Sequence, residues 1–147
     1  MTPNPASSIL LFTGFLVLLC GLLTGAPLGS AINRGADEES IRAWRVTHSS
    51  LINGGVMLLA ISAVLPQLAF PQGWQLAASV LLSMSAYAFS FALLFGAWKG
   101  HRGLQRGTTA AGNLVYFVNM LAVILSIAAT ALFLYGASIS LAKNMLN

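Results

Sequence analysis

Two histidines are the only side chains in this sequence that offer a nitrogen lone pair to a metal, and one of them opens an apolar run. His48 follows Arg42-Ala-Trp-Arg45 by three residues, and no charged side chain then appears until Lys99. A neutral imidazole just inside a bilayer interface can ligate a haem iron, with Arg42 and Arg45 at headgroup level to meet haem propionates. Two helical turns on, Gly55 lies on nearly the same face, with Gly54 beside it. Missing side chains there leave room either for a flat macrocycle or for close approach of a second helix. The plainer alternative is an interfacial His beside an anchoring Trp, with glycines serving packing, and on spacing alone it is the stronger. His101 sits in a basic loop between Lys99 and Arg102. It is a possible second axial ligand, though a solvated loop histidine is the simpler expectation.

The other reactive groups are few. All three carboxylates, Asp37, Glu38 and Glu39, are consecutive, so no Asp or Glu is expected at membrane depth. Ion- and proton-coupled transporters place ionisable residues on their pathways, and a two-carboxylate enzyme needs a pair inside its site. Both classes are disfavoured. Tyr87 falls inside an apolar run, where a phenol needs a partner, and is a candidate proton donor or substrate anchor. Asn53 is a second candidate for orienting a substrate. Asn113, Tyr116 and Asn119 either line a site or satisfy one another across helices, the latter being the default. Ser79, Ser83, Ala86 and Ser90, spaced by four, three and four, read as a packing seam. Cys20, the single cysteine, reads as a small buried hydrophobe.

These residues must be positioned by membrane helices. The 147 residues are 57% hydrophobic and 7% charged, against about 25% charged in soluble domains, and the mean hydropathy is +0.82. The net charge of +4 does not indicate nucleic-acid binding, because the seven basic residues are scattered over two loops and a tail. About 20 apolar residues cross a bilayer, so the three charge-free blocks hold four spans. These are expected near Ser8–Ile32, with Pro27 bending its last turn, Val46–Ala69, Trp74–Trp98 and Asn113–Ala142. The second and third are divided at Phe70-Pro-Gln-Gly73. The amino-terminal apolar stretch lacks a basic flank and exceeds a signal peptide's core, so it is kept as a membrane helix. The expectation is an all-α, single-domain bundle of four transmembrane helices.

Orientation follows from the basic residues. Arg34, Arg42 and Arg45 lie in one loop and Lys99, Arg102 and Arg106 in another on the same side, with only Lys143 opposite. The positive-inside rule puts both loops in the cytoplasm and both termini outside, in what is expected to be a bacterial inner membrane.

The stretch Trp44-Arg-Val-Thr-His-Ser-Ser-Leu-Ile-Asn-Gly-Gly55, followed by Ala63-Val-Leu-Pro-Gln-Leu-Ala-Phe70, resembles styrene oxide isomerase. The likeness continues to Arg102-Gly-Leu-Gln-Arg-Gly107, while Gly21-Leu-Leu-Thr-Gly25 looks more like the related hydroxylaminobenzene mutases. The resemblance implies four membrane helices, a homotrimer and haem b near subunit interfaces. It implies a ferric haem acting as Lewis acid on the oxygen of a small, apolar aromatic epoxide arriving from membrane lipid. Ring opening and a 1,2-hydride shift then give a carbonyl compound. The family's axial histidine falls on His48, and a Lewis-acid metal needs no intramembrane carboxylate.

Two positions depart from the pattern. The family's substrate-binding Asn falls on Gly54, with Asn53 one residue earlier and about 100° around the helix. The family's active-site Tyr falls on Leu93, and Tyr87, six residues earlier, aligns with a family Trp. The cofactor site is therefore expected to be retained and the substrate pocket altered. A hydroxylaminobenzene-mutase-like N–O rearrangement is the near alternative. A haem b electron carrier or sensor using His48 with His101, or a haem-free scaffold, are the rivals from other classes.

Overall fold

The computed structural model describes residues 4–100, 106 and 109–146, and contains only helices and turns among them. The elements are α1 (Pro5–Leu23), α2 (Gly25–Asn33), α3 (Glu38–Val64) ending in a 3₁₀ turn (Leu65–Gln67), α4 (Gln72–Lys99) and α5 (Ala110–Leu146). Four helical spans are long and apolar enough to cross a membrane, with α1 and α2 together making the first. This is the architecture of an integral membrane protein.

The break in the first span and the start of the second depart furthest from expectation; the second also ends early, at Val64 with a 3₁₀ turn to Gln67 rather than at Ala69, and the last helix runs three to four residues beyond Asn113–Ala142 at each end. The first span breaks at Thr24, about one turn before Pro27. Proline has no N–H for the carbonyl four residues back and its ring crowds that carbonyl, so the disturbance falls in the turn ahead of it. The second span, α3, starts at Glu38, eight residues before Val46. Asp37 caps it by accepting from the Ser40 N–H at 2.8 Å, and Glu38 and Glu39 occupy the first turn. Carboxylates there suit the positive end of the helix. The acidic run is thus a helix start, and two polar turns lead into the bilayer.

α1 and α3 run antiparallel along a seam of small residues. Leu10, Gly14, Val17 and Gly21 are buried on α1, and Leu51, Gly55, Leu58 and Ser62 on α3. Both sets are spaced four, three, four, the heptad pattern of closely packed helices. A Cβ on Gly55 would lie 2.7 Å from the Leu18 backbone nitrogen, and one on Gly21 would lie 2.8 Å from that of Ile52. Gly55 therefore serves helix approach, and its missing side chain leaves no room for a macrocycle. Gly55→Leu should force the pair apart, at a cost of at least the ~1–3 kcal/mol of ordinary overpacking. Thermal unfolding in detergent would read this as a clear fall in Tm, whereas Gly54→Leu should leave Tm nearly unchanged because nothing lies within 4 Å of that position.

α4 runs antiparallel to α5, with Ser85 donating to the Ala122 carbonyl at 2.7 Å. It lies beside α1 in the same direction, tied at mid-length by Thr13 and at the start of both helices by Asn4. The Asn4 Nδ2 donates to Gln75 Oε1 at 2.8 Å, and Gln75 Nε2 donates to the Leu68 and Phe70 carbonyls. One buried amide thus satisfies the turn that joins α3 to α4. Phe70 in that turn packs onto Gly136 of α5, and Ser140 Oγ accepts from the Ala69 N–H. At 37 residues, α5 is about 55 Å long and exceeds a ~30 Å bilayer core, so it tilts or projects. Only 11% of its most apolar window is buried within the chain, which leaves most of its surface to lipid or another copy. A reporter fused after Asn147 should register on the non-cytoplasmic side; a cytoplasmic signal would invert the assignment of leaflets while leaving the four spans intact.

Candidate functional site

The break in the first span creates the setting of His48. The last carbonyls of a helix lack intrahelical partners, and that of Gly21 accepts from His48 Nδ1 at 2.8 Å. Thr24 Oγ1 donates to the same carbonyl and lies 3.3 Å from the same ring nitrogen. Gly25 completes the cradle, since a Cβ there would meet His48 Cε1 at 3.4 Å. The Gly21-x-x-Thr24-Gly25 segment thus holds the imidazole with a carbonyl, a hydroxyl and a bare Cα. A carbonyl can only accept, so Nδ1 carries a proton, and in the neutral imidazole this leaves the lone pair on Nε2. No described residue bonds Nε2. An imidazole fixed through one nitrogen by a carbonyl, with the other free, is the usual state of a metal-ligating histidine.

Arg45 lies one turn below His48 and Arg42 one further turn down, both exposed and neither ion-paired among the described residues. Their guanidinium groups are available to anions at the membrane surface. Among the described residues no three His, Cys, Asp or Glu side chains cluster, so a cage built from protein ligands alone is not formed by them. A macrocycle that brings four donors of its own asks only for one imidazole, and His48 fits that requirement.

Thr47, the residue before His48, donates to the Leu93 carbonyl at 3.2 Å. This contact sets Leu93 at the level of His48. Tyr87 is six residues earlier, about 9 Å up α4, and its hydroxyl meets Thr13, about 12 Å along α1 from Gly21. Asn53 is exposed and lies about 140° around α3 from His48. The structure therefore brings neither Tyr87 nor Asn53 to His48. The residues that do meet it, Gly21, Thr24 and Gly25, stood out in the sequence only as the stretch that resembles the hydroxylaminobenzene mutases, with nothing to tie them to His48.

Tyr87 instead borders a cleft of about 430 Å³ between α1 and α4, walled by Ile9, Phe12, Val80 and Met84, with Ser8 also on its lining. Thr13 Oγ1 is 3.1 Å from the Tyr87 hydroxyl and donates to Ser83 Oγ at 3.1 Å. Tyr87 is 41% exposed, whereas Thr13 and Ser83 are 1% and 5% exposed. The phenol is at the mouth and the two aliphatic hydroxyls form the floor.

The serine stripe is buried as a seam should be: Ser79, Ser83 and Ser90 lie below one-tenth exposure. Ser79 Oγ is buried without a partner among the described residues. Near the start of α5, Arg106 lies over the Tyr116 and Phe117 rings, at 6.0 and 5.3 Å, while Asn113 and Asn119 are half-buried on the same turns. Cys20 is a free, half-buried thiol packed beside the core. His101 and Arg102 lie outside the described residues.

The fold and this site define a small four-span membrane protein with one imidazole poised at the basic interface. The family model of styrene oxide isomerase matches residues 6–138, and the chain belongs to that family. The match takes in all but the first residue of α1 and most of α5, well beyond the stretch that carries the visible motifs. No curated protein matches the chain by sequence. The family takes its name from an isomerase.

Proposed function

We propose that this protein is a haem-dependent membrane isomerase that converts a small aromatic epoxide into a carbonyl compound. The observation that carries this is His48, held by the Gly21 carbonyl with its Nε2 lone pair free. Haem b would be ligated through that nitrogen, with Arg45 and Arg42 meeting its propionates. When bound, ferric haem supplies a Lewis acid for an epoxide oxygen.

The chain's own residues supply the rest. Gly21, Thr24 and Gly25 orient the imidazole. The apolar walls of the bundle keep water from a cationic carbon that it would otherwise trap as a diol. The hydride moves within the substrate, so no proton need cross the membrane, in keeping with charge-free spans. Leu93 and Gly54, at the positions of the family's polar pair, make the pocket more apolar, so the preferred epoxide differs from styrene oxide. The uncovered surface of α5 is available for assembly as a homotrimer in a bacterial inner membrane. The test is whether purified ferric protein rearranges aryl epoxides without nicotinamide, flavin or oxygen. A six-coordinate low-spin spectrum with no turnover would instead assign it to electron transfer or sensing, and turnover of arylhydroxylamines alone would assign it to the N–O rearrangement.

A further inference from the structure

We propose that the cleft between α1 and α4 is a lateral docking site for a small aromatic molecule that carries an acceptor oxygen and no donor. The physiological occupant, an aryl epoxide or its carbonyl product, rests on the isomerase reading; the binding chemistry rests on the cleft alone.

Counting hydrogens gives the specificity. Tyr87, Thr13 and Ser83 form a line of three hydroxyls joined by two hydrogen bonds. Three hydroxyls bring three hydrogens, and two bonds use two of them. One hydrogen is unspent whichever way the line runs. With Thr13 donating to Ser83, the spare hydrogen is that of Ser83, which lines the cleft at 5% exposure and donates to no described group. Inside a bilayer there is no water to take it. A ketone or epoxide accepts it, an alcohol accepts it but brings another hydrogen without a partner, and a hydrocarbon leaves it unspent.

Depth excludes the membrane's own lipid as the source of the acceptor. Tyr87 is 12 residues from Lys99 and 15 from Gln72 along α4, about 18 and 22 Å. At that depth lipid presents only hydrocarbon, its polar groups lying at the interfaces. The volume of about 430 Å³ is within the range of small-molecule pockets, and apolar walls around a few polar groups are their usual composition. The cleft is about 9 Å further into the membrane than the level of His48, which places it where a solute from lipid would pause before reaching that level.

The test is photolabelling of the full-length protein in lipid nanodiscs with benzophenone, mapping adducts by peptide mass spectrometry. Adducts should concentrate on the peptides bearing Phe12 and Met84. Acetophenone should suppress them at about tenfold lower concentration than ethylbenzene, the value of one neutral hydrogen bond. The triple variant Thr13→Val, Ser83→Ala, Tyr87→Phe keeps the cleft apolar and close to its shape, and there the two competitors should act alike. Labelling should persist in His48→Ala protein, so the docking site stands if that pattern holds while epoxide turnover is absent. Adducts spread evenly over lipid-facing helices, equal competition on the unmodified protein, or loss of labelling in His48→Ala would each overturn it. Equal competition would mark an acyl-chain groove.

Discussion

His48→Ala should yield a membrane-inserted, monodisperse protein that no longer retains haem. The imidazole is the sole group of its kind within the described spans, and its Nδ1–H is already committed to the Gly21 carbonyl, so the change removes a ligand and disturbs little packing. The loss should exceed the ~10–100-fold that outer-shell substitutions typically cost in affinity. Thr24→Val, which removes a hydroxyl from the cradle, should fall inside that range. Arg42→Gln and Arg45→Gln should weaken retention less than loss of the ligand, and His101→Ala should leave the spectrum unchanged. The measurement is the ratio of haem to protein after purification from haem-supplemented cells, with the absorption spectrum of each variant. A wild-type spectrum in His48→Ala would remove this residue from the site.

Gly54→Asn combined with Leu93→Tyr should raise turnover of styrene oxide by about 10²–10³ for each group that reaches the developing charge. Both positions can receive the change. A Cβ on Gly54 meets nothing within 4 Å. Leu93 is half-buried at the level of Thr47, whose hydroxyl bonds its carbonyl, so a phenol introduced there starts from the height of His48. Dithionite should suppress the activity of both the parent and the double variant, because ferrous iron is the poorer acid toward a hard oxygen donor. Rates are read from loss of epoxide and gain of phenylacetaldehyde in anaerobic assays without added cofactor. A ferric, haem-loaded double variant inert toward a panel of aryl epoxides and arylhydroxylamines would end the isomerase assignment.

Several features were legible in the residues because they depend on local order. Blocks without charge specify spans whatever those spans pack against, since a bilayer tests hydropathy directly. The break between the second and third spans was marked by Pro71, which caps α4, while Gly73 lies inside the first turn of that helix. The start of α3 lies two turns ahead of the apolar residues because its signal is a cap, Asp37 ahead of two more carboxylates, and not hydropathy. The motifs around His48 pointed to the family, and the family match over residues 6–138 spreads that identity over helices whose apolar composition hides it from the eye.

Side-chain partnerships were a different matter. Gly55 left two uses open in the sequence, and the Leu18 backbone closes one of them by lying where a side chain would be. Tyr87 and Asn53 looked like partners of His48 because all three are polar residues in apolar runs, yet depth and azimuth separate them. Thr13 and Ser83 drew little notice, and the parallel alignment of α1 with α4 makes them the floor beside Tyr87. By itself, then, the sequence determined the number of spans, their order and the candidate ligand, because transfer into lipid and local chain chemistry act on each segment separately. Only the tertiary structure decided which carbonyl fixes the imidazole, which glycines are seams and where the phenol points, because each of those depends on the register between helices distant in the chain.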